Sequence, residues 1–199
     1  MPSPEIAMNP PSSKTSQTED DVILVDTSDN VLATMPKLEA HRKGLLHRAV
    51  SGFLFNADGD LLIQRRAMGK YHSGGLWANT CCSHPRPGET PSDCMDRRFG
   101  EELGIVAETR EFATFVYKVP VEPDLTEHEF VHAFSGLFEG AITPNPLEVM
   151  DHAWVSLAQL DGMLHQNVQM LCPWFYRYLI AGYVSSAVEN VIGRQALSR

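Results

Sequence analysis

Residues 83–105 read SHPRPGETPSDCMDRRFGEELGI, and no other stretch decides more of the fold. Thr90-Pro91-Ser92-Asp93 supplies an N-cap hydroxyl, a proline at the first helical position and an acid three residues after the cap, a combination that starts a helix. Met95, Phe99 and Leu103 follow at i, i+4 and i+8, the apolar stripe of an amphipathic helix. Gly104 is a natural left-handed stop, so the spacing predicts a helix over 91–103. On its polar side Arg98, Glu101 and Glu102 fall at i, i+3 and i+4, which places an arginine and two carboxylates on one face. A solvated ion pair satisfies that pattern as well as a binding site does.

Strands are expected on both sides of this helix. Upstream, VILVD (22–26) and HRAVSGFLFN (47–56) have strand composition, and the Asp-Gly of NADGD (56–60) favours a hairpin into LLIQRR (61–66). Asn79 to Ser83 reads as a short extended segment. Downstream, FATFVYKV (112–119) and EFVHAFSGLFE (129–139) are strongly β in composition. A period of two puts Glu127, Glu129, Val131 and Ala133 on one face of the second strand. Two carboxylates therefore point the same way. MDHAWVSLAQLDGML (150–164) and a long helix from about Pro173 to Ala196 complete an α/β (α+β) domain with intermixed strands and helices. One compact domain is expected over 21–199, preceded by a disordered tail at 1–20 that is too poor in large apolar residues to fold.

The composition limits the partners. The 199 residues carry 16 Lys+Arg against 25 Asp+Glu, a formal charge of −9, which argues against a nucleic-acid binder. No apolar run approaches the roughly 20 residues of a membrane helix, and the first residues lack a secretory pattern; a cytoplasmic protein without a membrane partner is expected. The acidic total hides a basic stretch, since residues 37–98 hold ten Lys and Arg against six Asp and Glu. The four cysteines form no C-x-x-C and are expected to be reduced. Cys81 and Cys82 are adjacent, so strand alternation sends only one of them to a given side. His72, His128, His132, His152 and His165 have no partner at a diagnostic spacing and are assigned to solvent or core.

The 83–105 pattern resembles the Nudix box, G-x5-E-x7-R-E-U-x-E-E-x-G-U with U a bulky aliphatic residue. Glu89, Arg97, Glu101, Glu102, Gly104 and Ile105 stand at matching positions. Ser83 replaces the opening glycine and Arg98 replaces the glutamate after the first arginine. That second change reverses a charge inside the carboxylate cluster with which a Nudix hydrolase holds hard cations around a pyrophosphate. The altered box suits binding a diphosphate better than cleaving one. Preceded by NTCCSHP (79–85), it is similar to the type I isopentenyl-diphosphate isomerase family. The similarity extends through LEAH (38–41), FLFNADGDLLIQRRA (53–67), GLWANTCCSHPRPGE (75–89), TEHEF (126–130), EVMDHAW (148–154) and PWF (173–175).

The resemblance implies a Nudix-type mixed sheet sandwiched by helices. It implies isomerisation of isopentenyl diphosphate to dimethylallyl diphosphate by protonation and deprotonation through a tertiary carbocation-like species. By position, Cys82 and Glu129 match the proton-transfer residues and Tyr117 a tyrosine that assists Glu129. His41, His47, His84, Glu127 and Glu129 match the ligands of a divalent metal, Mn2+, Zn2+ or Mg2+. Glu102 matches the ligand of a second ion, a Mg2+ bridging the diphosphate. Lys37, Arg66, Lys70, Ser83 and Arg98 match diphosphate contacts, and Trp174 matches an indole whose face stabilises the cation. Arg65, Arg86 and Arg97 are left to structure or solvent. A small allylic or homoallylic diphosphate is the expected partner, with no flavin or nucleotide cofactor, in a monomer or weak homodimer. A Nudix hydrolase and a non-catalytic Nudix-like binding module are the alternatives.

Overall fold

The computed structural model describes residues 21–197; the tail expected over 1–20 lies outside the described residues. The elements run β1 (Asp21–Val25), β2 (Val31–Pro36), α1 (Lys37–Lys43), β3 (His47–Phe55), β4 (Leu61–Arg66), β5 (Trp77–Ala78) and β6 (Cys81–Ser83). Then come α2 (Pro91–Leu103), β7 (Arg110–Glu122), β8 (Leu125–Leu137), β9 (Val149–Val155), α3 (Leu157–Gln166), α4 (Pro173–Ile180) and α5 (Tyr183–Leu197). Among the described residues no helix is long and apolar enough to cross a membrane.

β3 organises the sheet. It pairs in parallel with β8 from His47↔Glu129 to Phe55↔Leu137, and antiparallel with β6 through Val50↔Ser83, Ser51↔Cys82 and Gly52↔Cys81. A parallel pair needs a long crossover, and here it contains α2. The hairpin expected at NADGD reaches only the Phe55↔Leu61 pair. Beyond it the two strands part, because β3 is taken up by β6 and β8 while β4 runs antiparallel along β9.

Alternation along β3 divides the core in two. Ala49, Phe53 and Phe55 pack with Phe175, Tyr178, Val184 and Ala187 of α4 and α5. Val50 and Leu54 pack with Met95, Phe99 and Leu103 of α2 on the opposite face. The mixed sheet is thus sandwiched by helices, as the resemblance implies. Gly52 permits the close approach of α2: a Cβ there would lie 2.7 Å from the Phe99 ring and 3.0 Å from the Met95 sulfur.

The helix predicted over 91–103 has those bounds. The Thr90 hydroxyl oxygen accepts from the Asp93 amide at 3.1 Å and its proton goes to the Asp93 carboxylate at 2.6 Å, a cap worth about 1 kcal/mol. Gly104 ends the helix at φ 66. The single helix expected from Pro173 to Ala196 is instead two, α4 and α5. Gly182, at φ 78, takes the left-handed conformation that closes a helix, and the chain turns there. α1 and β2 had no sequence signal of their own.

Candidate active site

His41, His47, His84, Glu127 and Glu129 come from four different elements or their ends, yet one ligand atom from each lies within 4.8 Å of all the others. α1 supplies His41, the start of β3 supplies His47, and the loop after β6 supplies His84. β8 sends Glu127 and Glu129 to the face it shares with Val131 and Ala133, as its alternation requires; all four are buried.

The hydrogen bonds fix how these side chains point. Nδ1–H of His41 donates to the Lys37 carbonyl at 2.8 Å, and Nδ1–H of His47 donates to the Leu45 carbonyl at 2.8 Å. Each ring therefore turns Nε2 inward. Nε2 of His41 lies 3.0 Å from Oε2 of Glu127, Nε2 of His47 lies 3.2 Å from Nε2 of His84, and Nε2 of His84 lies 2.9 Å from Oε1 of Glu129. A neutral imidazole has one N–H. With Nδ1 already donating, Nε2 of a neutral His47 brings a lone pair toward His84, an arrangement that a shared cation resolves. Backbone-tethered imidazoles of this kind are the usual form of metal ligands, and three nitrogens with two carboxylates suit a divalent ion.

Burial shapes the acid–base chemistry. Desolvation lowers His47 to about 4 and takes His84 well below the usual range, the latter helped by the proximity of His47. Burial and the charge of Glu127 push Glu129 well above the carboxylate range. Burial also opposes ionisation of Glu127, but hydrogen bonds from His41 and His72 outweigh it and hold this acid well below the range. Tyr117, raised by burial and by Glu129, keeps its proton and donates it to Oε2 of Glu129 at 2.8 Å.

Cys82 lines the same pocket, with Lys37, Arg66, Lys70, Ser83, Arg98, Glu102, Tyr117, Glu127, Glu129 and Trp174. Its neighbour Cys81 points to the opposite core, against α2. The Cys82 thiol donates to Oδ1 of Asn79 at 3.0 Å and lies 3.3 Å from Oγ of Ser51, which in turn contacts the Tyr178 hydroxyl at 3.1 Å. Burial pushes this thiol up to about 12. It is a fixed, protonated group at neutral pH.

Every residue assigned to the site by sequence meets this pocket or its metal-ligand cluster. Arg66 and Trp174 hold the two buried side-chain nitrogens, Arg66 Nε and Trp174 Nε1, that lack a hydrogen-bond partner among the described residues. The Arg66 guanidinium also lies 5.1 Å from the Trp174 ring centre. Both oxygens of Glu102 are engaged, one by Arg98 and the other by Gln64 at 2.7 Å.

Sequence reasoning missed several partners. Glu148 binds Lys70 and also accepts from Arg98 at 3.2 Å. Ser51 and Asn79 hold the Cys82 thiol, and Tyr178 holds Ser51. His72, assigned to solvent or core, is buried but contacts Glu127 at 2.9 Å. Only chain folding brings these groups together, and no spacing signals them. Of the other histidines, His128 bonds the Gly44 carbonyl, His132 bridges Asp29 and Glu111, and His165 is exposed.

A mixed sheet between helices, with α2 carrying the box residues beside a His and Glu cluster, defines a Nudix-domain protein. The NUDIX domain model matches residues 45–175. The isopentenyl-diphosphate Delta-isomerase of Burkholderia multivorans is 46% identical over 158 residues, 79% of this chain and 90% of that one. Isopentenyl-diphosphate Delta-isomerase 2 of Aromatoleum aromaticum is 50% identical over 156 residues, 78% of this chain and 82% of its own. The crystal structure of DR0079 from Deinococcus radiodurans shares the fold, with TM-score 0.67 and 21% identity over 82% of this chain and 99% of its own. This chain belongs to the isopentenyl-diphosphate Delta-isomerase family.

Proposed function

We propose that the protein interconverts isopentenyl diphosphate and dimethylallyl diphosphate. The observation that carries this reading is the presence of a thiol, Cys82, and a buried carboxylate, Glu129, in the wall of one pocket. The reaction adds a proton to the terminal alkene carbon, leaves positive charge on the tertiary carbon, and removes a proton from the next carbon along. It needs two proton-transfer groups around a pocket that excludes water. Cys82 and Glu129 are assigned those roles. Tyr117 holds Oε2 of Glu129, and the Trp174 ring borders the path of the developing cation.

Lys37, Arg66, Lys70, Ser83 and Arg98 would hold the diphosphate, the arginines as planar forks and the lysines as point charges. His41, His47, His84, Glu127 and Glu129 would hold one divalent ion, Mn2+, Zn2+ or Mg2+, and Glu102 would meet a Mg2+ on the diphosphate. Such an ion, when bound, supplies Lewis acidity beside Glu129 and sharpens its acid–base chemistry. Arg98 sets this site apart from a hydrolase, because it places positive charge where the box otherwise has an acid. The four unpaired thiols suit a reducing compartment, in keeping with a cytoplasmic setting.

Incubation of isopentenyl diphosphate with the protein and Mg2+ or Mn2+ in D2O tests the reading. Deuterium in dimethylallyl diphosphate without phosphate release is expected. Phosphate release without exchange would make the protein a hydrolase instead.

A further inference from the structure

His72 belongs to none of the groups assigned above, yet it is 4% exposed and touches two of them. Its Nε2 lies 2.9 Å from Oε1 of Glu127, the oxygen opposite the one that faces His41. Its Nδ1 lies 3.3 Å from the Ser73 hydroxyl. It is not among the five donors that lie within 4.8 Å of one another. The ring stands edge-on to Trp174 at 5.6 Å between centres and 88° between planes, with Tyr71 against it at 4.3 Å and 80°.

The backbone around it is held in an unusual state. Ser73 is buried at φ 52, a left-handed conformation that a non-glycine residue keeps only where its surroundings enforce it. The surroundings are specific: Arg66 donates from its guanidinium to the His72 carbonyl at 3.3 Å, and backbone bonds tie Gly75 to Arg66 and Arg66 to Leu76 at 3.0 Å each. The loop between β4 and β5 is thus strapped so that one imidazole sits between a carboxylate and an indole.

We propose that His72 is a positioning residue: by donating Nε2–H to Oε1 of Glu127 it leaves that carboxylate a single inward oxygen, Oε2, and joins it mechanically to the Trp174 wall of the substrate pocket. This rests on the five-donor cluster being a metal centre. A carboxylate with one oxygen tied cannot rotate to chelate the ion with both, so the donor set keeps its geometry. Partners of this kind typically change metal affinity or activity about 10- to 100-fold when removed.

The test compares His72→Gln, whose side-chain amide keeps a donor, with His72→Phe, which keeps a ring against Trp174 and loses the donor. His72→Leu carries the same comparison if the Phe variant is not recovered folded. Mn2+ affinity is read by titration of free Mn2+ with electron paramagnetic resonance, and the donor geometry by the visible spectrum of Co2+-loaded protein. The donor-less variant is expected to bind Mn2+ about 10- to 100-fold more weakly with an altered Co2+ spectrum, while His72→Gln stays near wild type in both. Wild-type affinity and spectrum in the donor-less variant would overturn the proposal, as would a Gln variant as impaired as it. Wild-type Mn2+ binding that disappears in His84→Ala establishes the centre independently of His72. If wild type binds no Mn2+ there, the metal-centre reading and this proposal both fall; if that centre stands and only the His72 variants match wild type, this proposal alone falls.

Discussion

Tyr117 and Glu129 face each other directly in the β7–β8 register, and the phenol donates to Oε2 of the carboxylate over 2.8 Å. The other oxygen of Glu129 faces His84 at 2.9 Å. One strand pair thus sets the orientation of the carboxylate assigned to proton transfer. Tyr117→Phe removes only the hydroxyl and leaves the ring packing. It is expected to lower kcat by at least about tenfold with little change in KM, because the lost interaction acts on the carboxylate proposed to move the proton. A matched rise in KM at constant kcat would assign Tyr117 to substrate binding.

The thiol of half-buried Cys82 is held by Asn79 and Ser51, with Tyr178 behind Ser51, an arrangement that the removal of one sulfur leaves in place. Cys82→Ala is expected to fold and bind metal as wild type does while losing about 10²- to 10⁴-fold in isomerisation, the usual span for a proton-transfer group. Circular dichroism and Mn2+ binding check the first half, and product formation the second. Appreciable turnover in this variant would remove Cys82 from the role.

Arg98 binds two acids of its own helix and one beyond it: it donates to Glu101 at 2.6 Å, to Glu102, and to Glu148 at 3.2 Å. Arg98→Ala leaves the buried Glu102 without its cation, and breaking such a pair costs roughly 3 kcal/mol. The same change would remove a fork proposed for the diphosphate. A lower urea midpoint and a KM raised at least about tenfold are expected, with Arg98→Lys intermediate because an ammonium makes no fork. An unchanged KM would take Arg98 out of the diphosphate site.

In the metal-free protein His47 is held to about 4 by burial, against an ordinary value near ~6.5. The unfolded chain therefore takes up a proton below pH ~6.5 that the folded chain refuses until about pH 4. Stability from this group is fully present above the unfolded value and falls as pH drops through that window, by roughly 3 kcal/mol at most. Glu129, whose pKa is raised, contributes with the opposite sign, so the informative quantity is the difference between wild type and His47→Gln. Urea unfolding of chelated protein between pH ~7 and ~4 should show that difference growing as pH falls; parallel profiles would contradict it. Mn2+ at about 100 times its Kd should add about 2.7 kcal/mol to wild type.

How much of this was legible varied with the kind of signal. α2 could be read to the residue because Thr90, Pro91 and Gly104 act locally, each through its own backbone or cap. The shared face of Glu127 and Glu129 followed from strand alternation alone. The break at Gly182 looked like continuous helix because a glycine's left-handed turn leaves the apolar pattern on either side unchanged. The five-donor cluster came from family resemblance, since His41 and Glu127 meet across 86 positions. Glu148 opened a matching stretch that carried no role for it, His72 had neither a local pattern nor a matching motif, and only the folded loops bring them to the site.

The pairing of His47 with Glu129 across the parallel β3–β8 ladder also bears on how the chain reaches its working form. A slip of one residue would turn both β8 carboxylates toward α2, so a misaligned sheet could not gather the five candidate donors. During synthesis the three imidazoles of residues 41, 47 and 84 leave the ribosome before either carboxylate, and the centre cannot assemble until β8 has emerged and found β3. Ion affinity at the proposed centre would therefore be acquired late, in one step, as a property of the finished sheet.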